Sequence, residues 1–507
     1  MRITHRVYDS RDKLVGYIID GNVYNELQII DNIALIENAK LNKQGKIKIT
    51  GDDIVIDITA SDANKQYAKR LKLDNKLIDR KEIQKSFKVW KNKLSMLSLF
   101  VTGKPCVGKT TEVKLFAYNN YEHVVYIDLA NEYIRKEFED CVCRLDNKVF
   151  AIANFCNTVL RCKYYNDKNT VLILDSINES VKAIKEFYQL HANLGCNIIV
   201  INNYKDNSIV KLNDNGAGFV YMVDIDCLSF KEFCLLMNKS KLVNRIETGN
   251  MSKRDPATAN ELIEVYKKIG GYPTVVRTYL QTGNIDECNK VLDSIIDSIT
   301  AKVIRACKAS QNVTSDVLEQ IFKNILYTIM VDKSGTKNSL SQLELNVQTV
   351  LTGVAKKIDV DEVFNWLLRN KVLISLDYLS GKTYNELQKD KKVYFTDCGL
   401  AYNLFKLYEF KDGQKSKITN EQYVVTELEK KAGIKVRFAV TENAKMIYLK
   451  PDGLGNNLTV EIAGNYEKVI MDREETTILR VHNMVKRGQY NADDLINISM
   501  YELGIRW

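Results

Sequence analysis

The chain has 507 residues with 73 basic and 64 acidic side chains, a net charge of +9 and an apolar share of 45%. That length exceeds what one hydrophobic core sustains and implies roughly three to five domains. No run of about 18 apolar residues is free of charge, which excludes a membrane-spanning helix, and the small, dispersed basic excess permits contact with nucleic acid without requiring it.

Eleven cysteines are scattered mostly through apolar runs; the closest pair, Cys141 and Cys143, has no matching second pair, and only four histidines are present. That pattern does not suit a zinc site, and free buried thiols in a reducing cytoplasm are the simpler account. The stretch "MRITHRVYDSRDK" has no apolar core of signal-peptide length, so a soluble, cytoplasmic chain is expected.

In chain order, residues 1–92 alternate short β-like runs, "KLVGYIID" and "KIKITGDDIVIDI", with a helical patch near "NELQIIDNIALIENAKL". This predicts a small N-terminal α+β domain. The densest basic stretch, "RKEIQKSFKVWKNK" from Arg80 to Lys93, reads as a solvated helix face or linker.

The most informative segment follows. In "LSLFVTGKPCVGKTTEVKLFAYN" an apolar strand runs into a loop and then an apolar-spaced helix, and the loop Gly103, Lys104, Pro105, Cys106, Val107, Gly108, Lys109, Thr110 satisfies G-x-x-x-x-G-K-[ST], with Thr111 next. A phosphate chain calls for this spacing because loop N–H groups curl around the anion and the helix N-terminus adds its positive end. Lys109 is expected to reach the β and γ phosphates of a nucleotide and Thr110 to ligate Mg2+.

Further buried strands are predicted at "HVVYIDLANEY", "TVLILDS" and "CNIIVINN", with helices between them, which indicates an α/β core with a mainly parallel sheet. Asp175 ends the second of these and is expected to serve magnesium, although an Asp there also suits a helix N-cap. Asn202 and Asn203 end the third: either they sense the γ-phosphate or its water, with Asn203 the candidate, or they form a plain turn. Ser176 stands where an acid would orient the attacking water. A serine hydroxyl cannot act as that base, and positioned acid–base groups contribute about a hundredfold to ten-thousandfold, so slow turnover with an intact phosphate grip is expected unless Glu179, one turn on, substitutes.

The order of blocks resembles the prokaryotic AAA-type ATPases that join a P-loop core to a C-terminal domain related to restriction endonucleases. The resemblance is carried by the loop, by Asp175, Ser176, Ile177 and Asn178 where members show Asp-Glu-Ile-Gln, and by "VDIDCLSFKEFCLL", "IGGYPTVV" and "KVYFTDCGLAYNLF". It spans roughly residues 95 to 470. It implies a P-loop core over 93–243, a helical lid over 244–312, a winged-helix-like domain over 313–405 and a degenerate endonuclease-like domain over 406–507. Gly270, Gly271 and Pro273 match a lid element that in similar ATPases lies against adenine, though a helix-breaking turn accounts for the same residues. Arg277 is a phosphate contact or a surface partner. Glu421 matches the first endonuclease acid and Glu461 a later one, but "AKMIYL" carries no acid and Ala463 stands in place of the lysine, so metal-dependent cleavage is not expected. The surviving acids read more simply as surface or helix-end residues.

Two functions therefore compete. One is a slow Mg2+-dependent ATPase that moves its C-terminal domains. The other is an ATP-gated module meeting DNA or a protein partner, with little turnover.

Overall fold

The β-branched runs at the N-terminal end form β1 (Ile3–Tyr8), β2 (Leu14–Ile19), β3 (Asn22–Tyr24), β4 (Lys46–Gly51) and β5 (Ile54–Thr59). Their sheet has the order β3-β2-β1-β4-β5, with β4 and β5 paired antiparallel at one edge. The computed structural model describes residues 3–8, 14–19, 22–24, 46–51, 54–59, 64, 65, 67–69, 71, 72, 78, 80–202, 219–307, 313–331, 357–380, 386–407, 412–430, 436–440, 447–451, 458–462, 477–482 and 495–506. The helical patch expected between β3 and β4 lies outside the described residues.

The chain divides into two compact units, Met1–Gly103 with Gly108–Ile225 and Lys104–Val107 with Asp226–Trp507. In the first, α1 (Lys81–Lys93) carries the basic stretch: Lys81, Lys85, Lys88 and Lys93 are exposed, Lys91 donates to Asn120 O and lies over the Tyr121 ring, Phe87 and Trp90 are fully buried, and the Trp90 indole donates to Leu97 O at 2.8 Å. Next come β6 (Ser98–Thr102), α2 (Lys109–Asn120), β7 (His123–Asp128), α3 (Glu132–Cys141), α4 (Lys148–Phe155), β8 (Thr170–Asp175), α5 (Val181–Asn193), β9 (Asn197–Ile201) and β10 (Val220–Asp224). The five strands pair in parallel in the order β10-β6-β9-β8-β7.

This order positions the site. β9 is inserted between the strand that feeds the loop, β6, and the strand that ends in Asp175, β8. Register aligns their ends in one row: Val101 opposite Ile201, Ile201 opposite Asp175, and Asp175 opposite Asp128. Every residue of β8 is buried, as a strand covered on both faces requires. Phe100 meets Phe187 edge-on at 5.0 Å, and Phe138 meets Phe155 at 5.5 Å, in a core that also holds Leu172, Leu174 and Val200.

The second unit holds α6 (Phe230–Leu236), α7 (Ser240–Glu247), α8 (Asp255–Ile269), α9 (Pro273–Thr282), α10 (Ile285–Ala306), α11 (Ser315–Val331) and α12 (Lys357–Arg369). These are followed by β11 (Leu373–Ser380), β12 (Glu386–Phe395), α13 (Cys398–Leu407), α14 (Asp412–Glu429), β13 (Val436–Val440), β14 (Ile447–Pro451), β15 (Leu458–Ile462), β16 (Thr477–His482), β17 (Leu495–Ser499) and α15 (Met500–Arg506). α12 precedes the antiparallel β11–β12 pair. β11 also pairs in parallel with β13, so the pair is the edge of a seven-stranded sheet, order β12-β11-β13-β14-β15-β16-β17.

The three sequence blocks after the loop meet in this unit. Leu228 N donates to Gly271 O at 2.7 Å, and Gly271 N donates to Asp397 Oδ2 at 2.8 Å. Asp397 also caps α13, accepting from Leu400 N at 3.0 Å. A Cβ at Gly271 would lie 2.0 Å from Leu228 O, and one at Gly270, whose φ is +70°, would lie 2.0 Å from Asp397 Oδ1. Glycine is needed at 271 for the approach of the Leu228 main chain and at 270 for its positive φ beside the Asp397 carboxylate. Nearby, the Glu427 carboxylate accepts from Phe230 N at 3.1 Å, from the Tyr266 hydroxyl at 3.0 Å and from Lys430 Nζ at 3.0 Å. Burial opposes the Lys430 charge, but Glu427 and Asp397 outweigh it and hold the ammonium above its usual range.

All eleven cysteines are free thiols. Among the described residues, no helix is long and apolar enough to cross a membrane.

Candidate functional site

The loop between β6 and α2 turns through three residues of positive φ: Gly103 at 146°, Cys106 at 64° and Gly108 at 85°. Left-handed residues alternating with others is the backbone pattern that curls successive amides into an anion-binding concavity. Gly103 is required twice over, because a Cβ there would also fall 2.0 Å from Ile225 O. Gly108 precedes α2, whose first residue, Lys109, is buried with its ammonium donating to Gly103 O at 2.8 Å. The lysine thus spans the loop from end to end.

Thr110 and Asp175 are brought together. The Thr110 hydroxyl donates to Asp175 Oδ2 at 2.7 Å, joining the first turn of α2 to the tip of β8. The same oxygen accepts from the Tyr126 hydroxyl at 2.8 Å, and Asp175 Oδ1 accepts from Ser176 Oγ at 3.2 Å. Asp175 does not cap a helix with its side chain; Ser180 performs that task for α5, accepting from Ala183 N. Thr111 follows Thr110 on α2 and is partly exposed.

Ser176 adopts a left-handed conformation, φ 58°, which turns the chain sharply after β8 into a single 3-10 turn, Ile177–Glu179. Glu179 ends that turn exposed, its carboxylate accepting a 3.3 Å bond from Asn178 Nδ2. Asn203 lies outside the described residues. Its neighbour Asn202 is fully buried one residue past β9; its main-chain N donates to Val101 O at 2.9 Å, but among the described residues neither Nδ2 nor Oδ1 of its side chain has a hydrogen-bond partner. A buried primary amide without partners costs about 1–3 kcal/mol, so its retention calls for an explanation.

The middle of the loop groups differently. Lys104–Val107 segregates with the second unit. Lys104 is only 2% exposed, donates to Thr396 O at 3.0 Å and pairs with Asp226 Oδ1 at 2.6 Å. Burial alone would lower the Lys104 pKa, but the Asp226 carboxylate outweighs it and holds the ammonium above its ordinary value. Asp226 is likewise held below its ordinary value: burial opposes, and the Lys104 and Lys430 charges prevail. The Lys104 side chain is therefore committed to structure. Pro105 and Val107 are buried, and Cys106 Sγ approaches Ser298 Oγ at 3.7 Å.

Pro273 occupies the first turn of α9, where its fixed φ and missing N–H suit helix initiation, so no ligand is needed to account for it. Arg277 lies partly exposed on the same helix. The expectation of a surface or helix-end role for Glu421 is corrected: it is buried within α14 and accepts from the Tyr394 hydroxyl, which makes it an internal strut between α14 and β12. β15 carries Glu461 in register with Tyr448; Ala463 lies outside the described residues.

Residues 260–411 match the profile of a domain of unknown function, DUF8612. That stretch contains Gly270, Gly271 and Asp397 and excludes the loop. No curated protein matches the chain in sequence. Among solved structures the chain is similar to the Walker-type ATPase PABY2304 of Pyrococcus abyssi, at 12% identity and a TM-score of 0.40, covering 65% of this chain and 96% of that one. It is also similar to the Aeropyrum pernix ORC1 protein in complex with DNA, at 9% identity, a TM-score of 0.29 and coverages of 69% and 95%. A further neighbour is the Thermotoga maritima RuvB Holliday junction branch migration motor, at 12%, 0.29, 67% and 97% respectively. At such scores the likeness is descriptive, and the functional reading rests on the chain's own residues.

Proposed function

We propose that the first unit binds ATP with Mg2+ and hydrolyses it slowly. The 2.7 Å bond between the Thr110 hydroxyl and Asp175 carries this reading, because it joins the residue after the loop lysine to a carboxylate at the tip of a buried strand. Two hard oxygen donors so placed fit magnesium, which takes few protein ligands and keeps waters and phosphates for the rest. When bound, the ion would neutralise charge on the β and γ phosphates. Lys109 then exchanges Gly103 O for phosphate oxygens, and the curled loop amides hold the β-phosphate region. The unsatisfied Asn202 amide, on the strand between the loop and Asp175, is suited to the γ-phosphate or the attacking water.

Slow turnover follows from what stands after Asp175. Ser176 turns its hydroxyl onto Asp175 instead of toward a water, and Glu179 is exposed on the turn with Asn178 as its partner. Neither is placed as a base, so the chain is read as a nucleotide-responsive protein whose second unit meets DNA or a protein partner.

Phosphate release from Mg-ATP tests the reading. Wild type should be slow, Lys109→Ala inactive, and Ser176→Glu about tenfold faster or more, since a positioned acid contributes at least that much. If Ser176→Glu gains nothing and Glu179→Gln abolishes turnover, Glu179 is the working base and the slow-enzyme reading is wrong.

A further inference from the structure

Tyr126 is a chemistry-bearing side chain at the site that the nucleotide reading does not use. It lies on β7, the edge strand beyond Asp175, and its hydroxyl donates to Asp175 Oδ2 at 2.8 Å, the oxygen that also accepts from Thr110. Lys114 Nζ, one turn along α2 from Thr110, lies 3.7 Å from the centre of the Tyr126 ring. The phenol is thus held on one side by the carboxylate and on its face by a cation from the loop helix. A phenol titrates at about 10, so the hydroxyl is a donor at neutral pH.

We propose that Tyr126 is a positioning residue that fixes the rotamer of Asp175 for Mg2+. The inference rests on the nucleotide reading and deepens it. The Thr110 hydroxyl has one hydrogen and two lone pairs, so it can donate to Asp175 while its oxygen faces a metal. A single donor leaves the carboxylate able to swing about that bond; Tyr126, bonded to the same oxygen from β7, is the second point that fixes it. Among the described residues Oδ2 carries these two hydroxyl donors and Oδ1 only the longer Ser176 contact, so Oδ1 retains capacity for a metal-bound water. Lys114 anchors the ring from its face.

The role separates from a general one by its magnesium dependence. Affinity for a fluorescent ADP analogue would be measured in EDTA and across a magnesium titration, for wild type, Tyr126→Phe, Tyr126→His and the control Tyr165→Phe, whose ring stacks on His123 at the far end of β7 from Asp128. Tyr126→Phe should require about three- to tenfold more Mg2+ for half-maximal enhancement, the range expected for one hydrogen bond to a charged group. Its affinity in EDTA should equal that of wild type. Tyr126→His, which keeps a ring donor, should recover part of the loss, and Tyr165→Phe should match wild type. In an Asp175→Asn background, Tyr126→Phe should have no further effect. Equal magnesium requirement in Tyr126→Phe and wild type, or a matching loss in EDTA, would overturn the positioning role while leaving nucleotide binding intact. Absence of nucleotide binding by wild type would overturn both.

Discussion

Asp397 Oδ2 accepts the amide of Gly271 at 2.8 Å across 126 residues of sequence, and its other oxygen caps α13 at Leu400. One carboxylate thus closes the glycine turn before α9 and starts a distant helix. Gly271→Ala should lower stability by about 3 kcal/mol or more, because the new methyl meets a main-chain oxygen that cannot move aside. Asp397→Ala should cost about 2–4 kcal/mol by orphaning two buried N–H groups. Urea unfolding measures both; a loss below 1 kcal/mol in either would show that the junction yields.

Asn202 should behave as a residue kept for function at the expense of stability. Asn202→Leu removes an unsatisfied amide at similar volume, so its nucleotide-free stability should be unchanged or higher by about 1 kcal/mol, while phosphate release falls. Denaturation and phosphate assays on the same variant check it. A large loss of stability would mean that the amide has a partner in the folded protein.

The Lys104–Asp226 pair predicts a reversal of pH dependence. In wild type the Lys104 pKa is raised, so its contribution is complete below the unfolded value near 10.5 and is lost as pH rises through the folded value; the lowered Asp226 contributes above its unfolded value near 3.8 and loses that contribution on acidification. Asp226→Asn leaves the buried ammonium without its nearest carboxylate. Burial then pulls the Lys104 pKa below 10.5, and the variant should gain stability as pH rises toward 10. At pH 7 it should be less stable by about 2 kcal/mol, under the ~3–5 of a fully buried pair because Asp226 is partly open to solvent. Chemical unfolding at pH 7 and pH 10 gives the sign directly.

How much of this was legible in the residues depends on how local each cause is. The apolar runs at 98–102, 123–128, 170–175 and 197–201 are strands because a covered parallel sheet selects long buried runs, and the loop declares itself by spacing. β10 is harder to see: "VYMVD" is an edge strand with only its first residue buried, and it pairs with β6 across more than a hundred residues. At the end of β9 two adjacent amides, Asn202 and Asn203, are equal candidates by local pattern, which does not tell that Asn202 is buried. Lys104 gave no sign of its structural commitment, because Asp226 and Thr396 are 122 and 292 residues away. Tyr126 read as one more apolar strand residue; only the β7–β8 pairing brings it to Asp175. Gly270 and Gly271 signalled a tight approach, but not what approached them.

The central claim is that the loop ending in Lys109 and Thr110 grips a triphosphate. Titration calorimetry of Mg-ATP into wild type and Lys109→Ala tests it most directly. The account predicts saturable binding of one nucleotide per chain by wild type, weakened at least about a hundredfold in the variant, since a charge-assisted phosphate contact and the loop closure are lost together. No saturable heat with wild type at millimolar ATP, or identical isotherms for the two proteins, would contradict it.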